Sequence, residues 1–494
     1  MNTMAGKIGW LALAVLGAFS LGVVALDRGE TINAVWLVTA TVSILMIAYR
    51  YYSRFIADKV LQLDATRATP AVRRNDGLDF VPTDKRVVFG HHFAAIAGAG
   101  PLVGPVLAAQ MGYLPGTLWI LVGVIFAGAV QDFMVLFFST RRDGKSLGDM
   151  ARAELGPAAG IVAMIGVLMI MFIILAVLAL VVVKALAESP WGTFTVAMTM
   201  PIALFMGIYL RWLRPGKVLE VSIIGLVLLL VSIWLGGVVA HDPAWASAFH
   251  FDGRALAWML IGYGFVASVL PVWMLLAPRD YLSTFLKIGT ILMLAIGIVI
   301  AAPEMHMPAV TRFTDGSGPV FGGSLFPFLF ITIACGAVSG WHSLIASGTT
   351  PKLLANESEA RVVGYGSMLM EAFVAVMALI AACVLDPGVY FAMNAPTALL
   401  GTTVDTAAQA INQLGFVITP DVLSQTATQI GESTILSRTG GAPTLAVGMA
   451  QIIHSVLPGE GMMAFWYHYA ILFEALFILT TVDAGTRVGR FMIQ

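Results

Sequence analysis

Residues 88–105, VFGHHFAAIAGAGPLVGP, impose the tightest constraint on how this chain can fold. They are apolar enough to enter a bilayer, yet Gly98, Gly100, Pro101, Gly104 and Pro105 crowd the segment. Counted from Gly90 at about 1.5 Å per helical residue, Gly100 lies roughly 15 Å deep, near the middle of a ~30 Å hydrocarbon core. Two structures suit such a segment: a packed spanning helix kinked at proline, or a helix that unwinds there. Unwound backbone at that depth has no lipid partner for its N–H and C=O groups, so it must face protein or a water-filled cavity. A helix interrupted at the midplane points to a transporter's binding site.

The rest of the chain sets the class. Of 494 residues 59% are hydrophobic and 11% charged, where a soluble domain carries about 25% charged. The chain reads as an all-α polytopic membrane protein whose surroundings are the lipid bilayer. A net charge of −1 offers no basic surface for nucleic acid. The two cysteines, Cys335 and Cys383, lie inside apolar runs and suggest neither a disulfide frame nor a metal cluster.

Spans are expected near 8–26, 32–52, 89–110, 114–138, 159–185, 193–211, 218–240, 256–277, 284–302, 325–347, 361–385 and 462–482. Basic residues orient them. One side collects Lys7, Arg50, the 53–88 cluster, Arg141, Arg142, Lys145, Arg152, Arg211, Arg214, Lys217, Arg279, Lys287, Lys352 and Arg361. The other keeps Arg28, Lys184, Arg254, Arg312 and Arg438. The amino terminus is therefore expected in the cytoplasm. An apolar run at 443–457 is too short to span comfortably. Reading it as re-entrant or interfacial puts Arg487 and Arg490 on the basic side. The segments are then two leading helices (1–58), a basic loop (59–88), one five-helix unit (89–240), a second (256–482) with an external loop (386–442), and a cytoplasmic end (483–494). The helix at 256–277, interrupted within Gly262–Pro271, opens the second unit as 89–110 opens the first. An odd number of spans per unit makes the two units inverted, as in five-plus-five (LeuT-like) transporters.

The stretch 91–105 resembles the opening signature of the carbon starvation protein A family of bacterial inner-membrane transporters. So do Gln131-Asp132-Phe133, Gly340-Trp341-His342-Ser343 with residues 347–351, and Phe465–His468 with residues 480–487. The resemblance runs from about residue 88 to the end. It implies import of peptides or pyruvate into cells, and membership of the amino acid–polyamine–organocation superfamily with its five-plus-five fold. Familiar members continue past this terminus with more spans.

Ionisable residues inside spans are costly and are candidates by default. Asp132 and Glu371 could carry a coupling proton; the alternative is a protonated or hydrogen-bonded structural role. Glu474 pairs most simply with His468. His91 and His92 sit at the cytoplasmic end of the interrupted helix, where a ring could bind a substrate carboxylate or relay a proton, or merely anchor the helix. His342 joins them, and Ser268 is placed with the substrate residues. Free N–H groups near Gly98 and Gly100 would hold a carboxylate where the helix restarts. Ser339, Ser343 and Ser347, with the Ala97 carbonyl, would suit a hard cation such as sodium; serines also let helices pack closely. No resident cofactor or metal is expected beyond a coupling proton or sodium. The chain has no GxxxxGK[ST] loop for ATP. The expectation is a secondary transporter, possible homo-oligomers included, rather than an enzyme. A nutrient sensor is the alternative, and an intramembrane metalloenzyme gathering His91, His92, His342 and Asp132 is a weaker one.

Overall fold

The structure, a computed structural model, describes residues 4–26, 31–187 and 189–493; Arg28 lies outside them. Among the described residues every regular element is a helix. The principal ones, in chain order, are α1 (Met4–Ala25), α2 (Ala34–Leu61), α3 (Lys85–Ile96), α4 (Gly100–Met111), α5 (Tyr113–Arg141), α6 (Pro157–Leu186), α7 (Pro190–Leu213), α8 (Val218–His241), α9 (Gly253–Val269) and α10 (Leu276–Ala301). After them come α11 (Ala334–Ala337), α12 (Gly340–Gly348), α13 (Glu357–Val384), α14 (Pro387–Asn394), α15 (Val404–Gln413), α16 (Pro420–Gln429), α17 (Ala442–Val456) and α18 (Met462–Ile493). Nine of the described helices are long and apolar enough to cross a membrane. The remaining expected spans are discontinuous: 89–110 is α3 and α4, 256–277 is α9 with a following turn, and 325–347 is a set of short pieces.

Helix α3 starts on Asp84, whose side chain accepts from the Arg86 N–H as an N-cap. It ends where Ala97 leaves helical geometry (φ −77°, ψ 88°). The chain turns by 45° and restarts at Gly100, with Pro101 in the first turn, where a missing N–H costs nothing. The Asp84 carboxyl is held below the usual carboxylate range, chiefly by its hydrogen bonds to the Arg86 side chain. A depressed folded value means this stabilisation is present above the unfolded Asp value of about 3.9 and is lost as pH falls through the folded one. Asp84→Ala should therefore cost about 0.5–2 kcal/mol at pH 7. Thermal unfolding in detergent should show this gap narrowing once the pH drops below that window.

The second expected interruption falls at the far end of its range, at Leu270 and Pro271. Helix α9 runs unbroken through Gly262 and Gly264 and ends only at Val269. The turn that follows sits at one end of the bundle, where Val272 N–H donates to the Leu78 carbonyl and Arg487 holds the Leu270 carbonyl. The break that faces the first is between α11 and α12, where Val338 and Ser339 are extended. Small residues allow the two breaks to meet. A Cβ on Gly100 would collide with the Cys335 side chain, and one on Gly104 with the Thr332 carbonyl.

One end of the bundle gathers the basic loops. Arg73 and Arg74 pair with Asp143, and Arg141 with Glu357. Arg487 and Arg490 both pair with Asp79, which places that end of α18 beside the 59–88 loop. Two charges assigned there by sequence belong inside α10 instead: Arg279 and Lys287 are 2% and 1% exposed. Helix α17, with fifteen residues and roughly 22 Å long, is packed into the bundle. It crosses the opposite end, with Gly441 against Val103, Gly448 against the Ala381 backbone and Ile452 against Gly297.

Candidate functional site

The two breaks leave carbonyl oxygens without helical partners, and motif residues from distant helices supply the donors. At the first break, Lys287 of α10 donates from Nζ to the Ala94 and Ala97 carbonyls, each at 2.9 Å. Thr480 and Thr481 of α18 also reach the Ala94 carbonyl, at 3.2 and 3.4 Å, and Trp341 Nε1 holds that of Ala95 at 3.1 Å. Lys287 packs 4.1 Å from the Phe477 ring centroid. Among the described residues it belongs to no ion pair. At the second break, Gln131 Nε2 caps the Ser339 carbonyl.

Beside this junction three expected candidates meet. His342 Nδ1 lies 3.0 Å from Asp132 Oδ2, and Nε2 lies 3.1 Å from Glu371 Oε2, outside good hydrogen-bond alignment. All three side chains are fully buried. Cys335 Sγ completes the group, 3.4 Å from Glu371 Oε1 and 3.8 Å from His342 Nε2. Asp132 Oδ1 has no donor. A neutral imidazole has one N–H, so it cannot donate to both carboxylates at once. An arrangement of this kind has the chemistry to hold and share a proton. Cys335 therefore sits in a Cys/His/Glu cluster, which its apolar sequence surroundings did not suggest.

The adjacent histidines are tied down differently. His91 Nδ1 is 2.6 Å from Asp280 and its Nε2 is 3.0 Å from Thr349 Oγ1. His92 Nδ1 is 2.8 Å from Thr350 Oγ1, while its buried Nε2 has no partner among the described residues. The pair thus joins α3 to α10 and to the segment after α12. One free ring nitrogen is left, on His92.

Several groups of the expected cation set already have protein partners. The Ala97 carbonyl takes Lys287, the Ser339 carbonyl takes Gln131, and Ser347 donates to the Ser343 carbonyl within α12. Gly98 lies against Thr481, and the Ser268 hydroxyl turns back to the Phe265 carbonyl of its own helix. His468 lies near Gly431 of the connecting segment, and Glu474 stays buried with Oε1 unpartnered. No His468–Glu474 pair forms among the described residues. Sequence reasoning missed Lys287, Arg279, Asp280 and Asp483. Arg279 pairs with Asp483, which also accepts from Tyr263 at 2.8 Å. Position along an apolar run was the available signal for Lys287, which falls well inside α10.

A multi-pass helical membrane protein with two discontinuous helices meeting beside a buried histidine–carboxylate group is the class this geometry defines. The family model "Carbon starvation protein CstA" matches residues 33–494, and the chain belongs to that family. It is 67% identical over 499 residues to the peptide transporter CstA of Escherichia coli (strain K12), covering 100% of this chain and 71% of the relative. It is 63% identical over 509 residues to the pyruvate/proton symporter BtsT of the same organism, covering 99% and 71%. The peptide transporter CstA of Bacillus subtilis (strain 168) is 46% identical over 462 residues, covering 94% and 74%. No solved structure matches.

Proposed function

We propose that the protein is a secondary transporter of the bacterial inner membrane that imports a small carboxylate nutrient, pyruvate or a short peptide, together with a proton. The observation that carries this is the buried Asp132–His342–Glu371 chain set directly beside two facing helix breaks. Breaks supply backbone groups for cargo, and the chain supplies a titratable relay. In this reading the substrate carboxylate docks at the restart near Gly98 and Gly100, with His92 Nε2 as the free ring donor. Asp132, His342 and Glu371 carry the coupling proton. A tethered ammonium already fills the carbonyl site at Ala97, which favours proton over sodium as the driving ion. The basic end of the bundle faces the cytoplasm by the positive-inside rule, and so does the amino terminus.

The test is initial uptake of labelled pyruvate and of a labelled dipeptide into proteoliposomes, with pH and sodium gradients imposed separately. Uptake should follow the pH gradient and ignore sodium; the reverse overturns the coupling. Gly100→Ala pushes a methyl into Cys335 and should slow uptake about tenfold, the equivalent of ~1.4 kcal/mol. An unchanged rate removes the break from the site.

A further inference from the structure

The cluster beside the second break has a donor set that proton relay alone does not require. Cys335 Sγ, His342 Nε2 and a Glu371 carboxylate oxygen lie within 4.8 Å of one another. They come from three separate elements: α11, α12 and α13. Sγ lies 3.8 Å from Nε2 and 3.4 Å from Glu371 Oε1, while the other carboxylate oxygen, Oε2, lies 3.1 Å from Nε2. Ligand bonds of about 2.0–2.3 Å in a tetrahedral zinc site put neighbouring donors about 3.3–3.8 Å apart. Sγ and Nε2 thus already sit about as far apart as two corners of such a tetrahedron, and a turn of the Glu371 carboxylate brings one of its oxygens to a third. His342 is also oriented as a metal ligand is, with its other nitrogen held by a carboxylate, Asp132, at 3.0 Å.

We propose that Cys335, His342 and Glu371 form a binding site for a thiophilic d¹⁰ divalent cation, zinc or cadmium, with a fourth position left for water or cargo. The thiolate selects against magnesium, calcium and sodium, which prefer all-oxygen shells. Binding takes the Cys335 thiol proton, and any proton on Glu371 or Nε2, and releases it to the buffer. The ion then holds the Nε2 lone pair and the Glu371 oxygen that a relayed proton needs. Bound metal should therefore arrest transport. That last step rests on the relay reading; the metal binding does not.

Calorimetric titration of the purified full-length chain with zinc chloride, and cadmium titration followed by thiolate-to-metal absorption, read the site directly. One equivalent is expected. Cys335→Ser should lose the cadmium–thiolate band and weaken zinc at least about tenfold, and Glu371→Gln should weaken it comparably. Cys383→Ser, which removes the other thiol, should bind like the parent. No saturable binding, or equal binding by Cys335→Ser, overturns the site. Zinc at saturation should stop proteoliposome uptake reversibly with chelator in the parent and spare Cys335→Ser. Stoichiometric binding without inhibition would support the metal site and overturn the relay instead.

Discussion

Replacing His342 by Gln is expected to lower proton-driven uptake by about 100-fold or more. The glutamine amide can still fill the space and hydrogen-bond Asp132, but it cannot accept a proton and pass it on. It also leaves two carboxylates facing each other with no titratable group between them. Breaking a buried ionic group by removing one partner costs about 3–5 kcal/mol, and each ~1.4 kcal/mol is tenfold in a population. Two readouts separate this from a folding defect. Uptake under an imposed pH gradient should fall to background, while counterflow, which exchanges cargo at equilibrium and needs no net proton movement, should persist at a reduced rate. Asp132→Asn should behave in the same way, because it removes the carboxylate that orients Nδ1 at 3.0 Å. A His342→Gln protein that still concentrates substrate when the outside is acidified would show that the relay lies elsewhere.

The membrane class and the first helix break were legible because their signals are local. Apolar run length gives spans, and Gly98-Ala99-Gly100-Pro101 is a break written in consecutive residues. Asp132, Glu371 and His342 were legible one by one as costly residues in lipid, but their meeting was not, since spacings of 210 and 29 residues carry no geometric information. The break that faces the first was not foreseen, for a physical reason. Gly262 and Gly264 looked like breakers, yet glycine alone is tolerated in a spanning helix, and α9 continues through both. At Val338-Ser339 no proline or consecutive glycines mark the extended residues; Gln131 on the Ser339 carbonyl, with Gly123 and Gly128 of α5 against Ala337, holds the turn. The motifs that carried the family resemblance turn out to share one task. Gln131, Trp341 and Thr480-Thr481 each donate to a carbonyl at a break or in the turn leading to it, and the Thr349-Thr350 pair holds His91 and His92. Lys287 shows the opposite failure. Counting cations by side treats every lysine near a span end as a solvated marker, and the rule has no means of seeing one drawn inward to satisfy backbone.

That inward lysine should be among the residues the protein can least spare. Lys287 contributes two charge-assisted hydrogen bonds, to the carbonyls of Ala94 and Ala97, and bonds of this kind are worth about 1.5–3 kcal/mol each. The Ala94 oxygen keeps its threonine donors in a Lys287→Met variant, whereas the Ala97 oxygen has Lys287 as its one donor among the described residues. An orphaned buried carbonyl costs a further ~1–3 kcal/mol. The expected loss is thus about 3 kcal/mol or more, seen as a lowered thermal midpoint and at least about a 100-fold fall in uptake. Lys287→Arg should not rescue it, because a planar guanidinium fork cannot reproduce a compact ammonium seated on two carbonyls. Thr480→Val sets the scale from the mild side: it deletes one donor from an oxygen that has others, so a loss near ~1 kcal/mol is expected. If Lys287→Met unfolds at the parent temperature and transports at the parent rate, the ammonium does not hold the first break open, and the unwound turn must be held by the Thr480, Thr481 and Trp341 donors and by packing against Cys335.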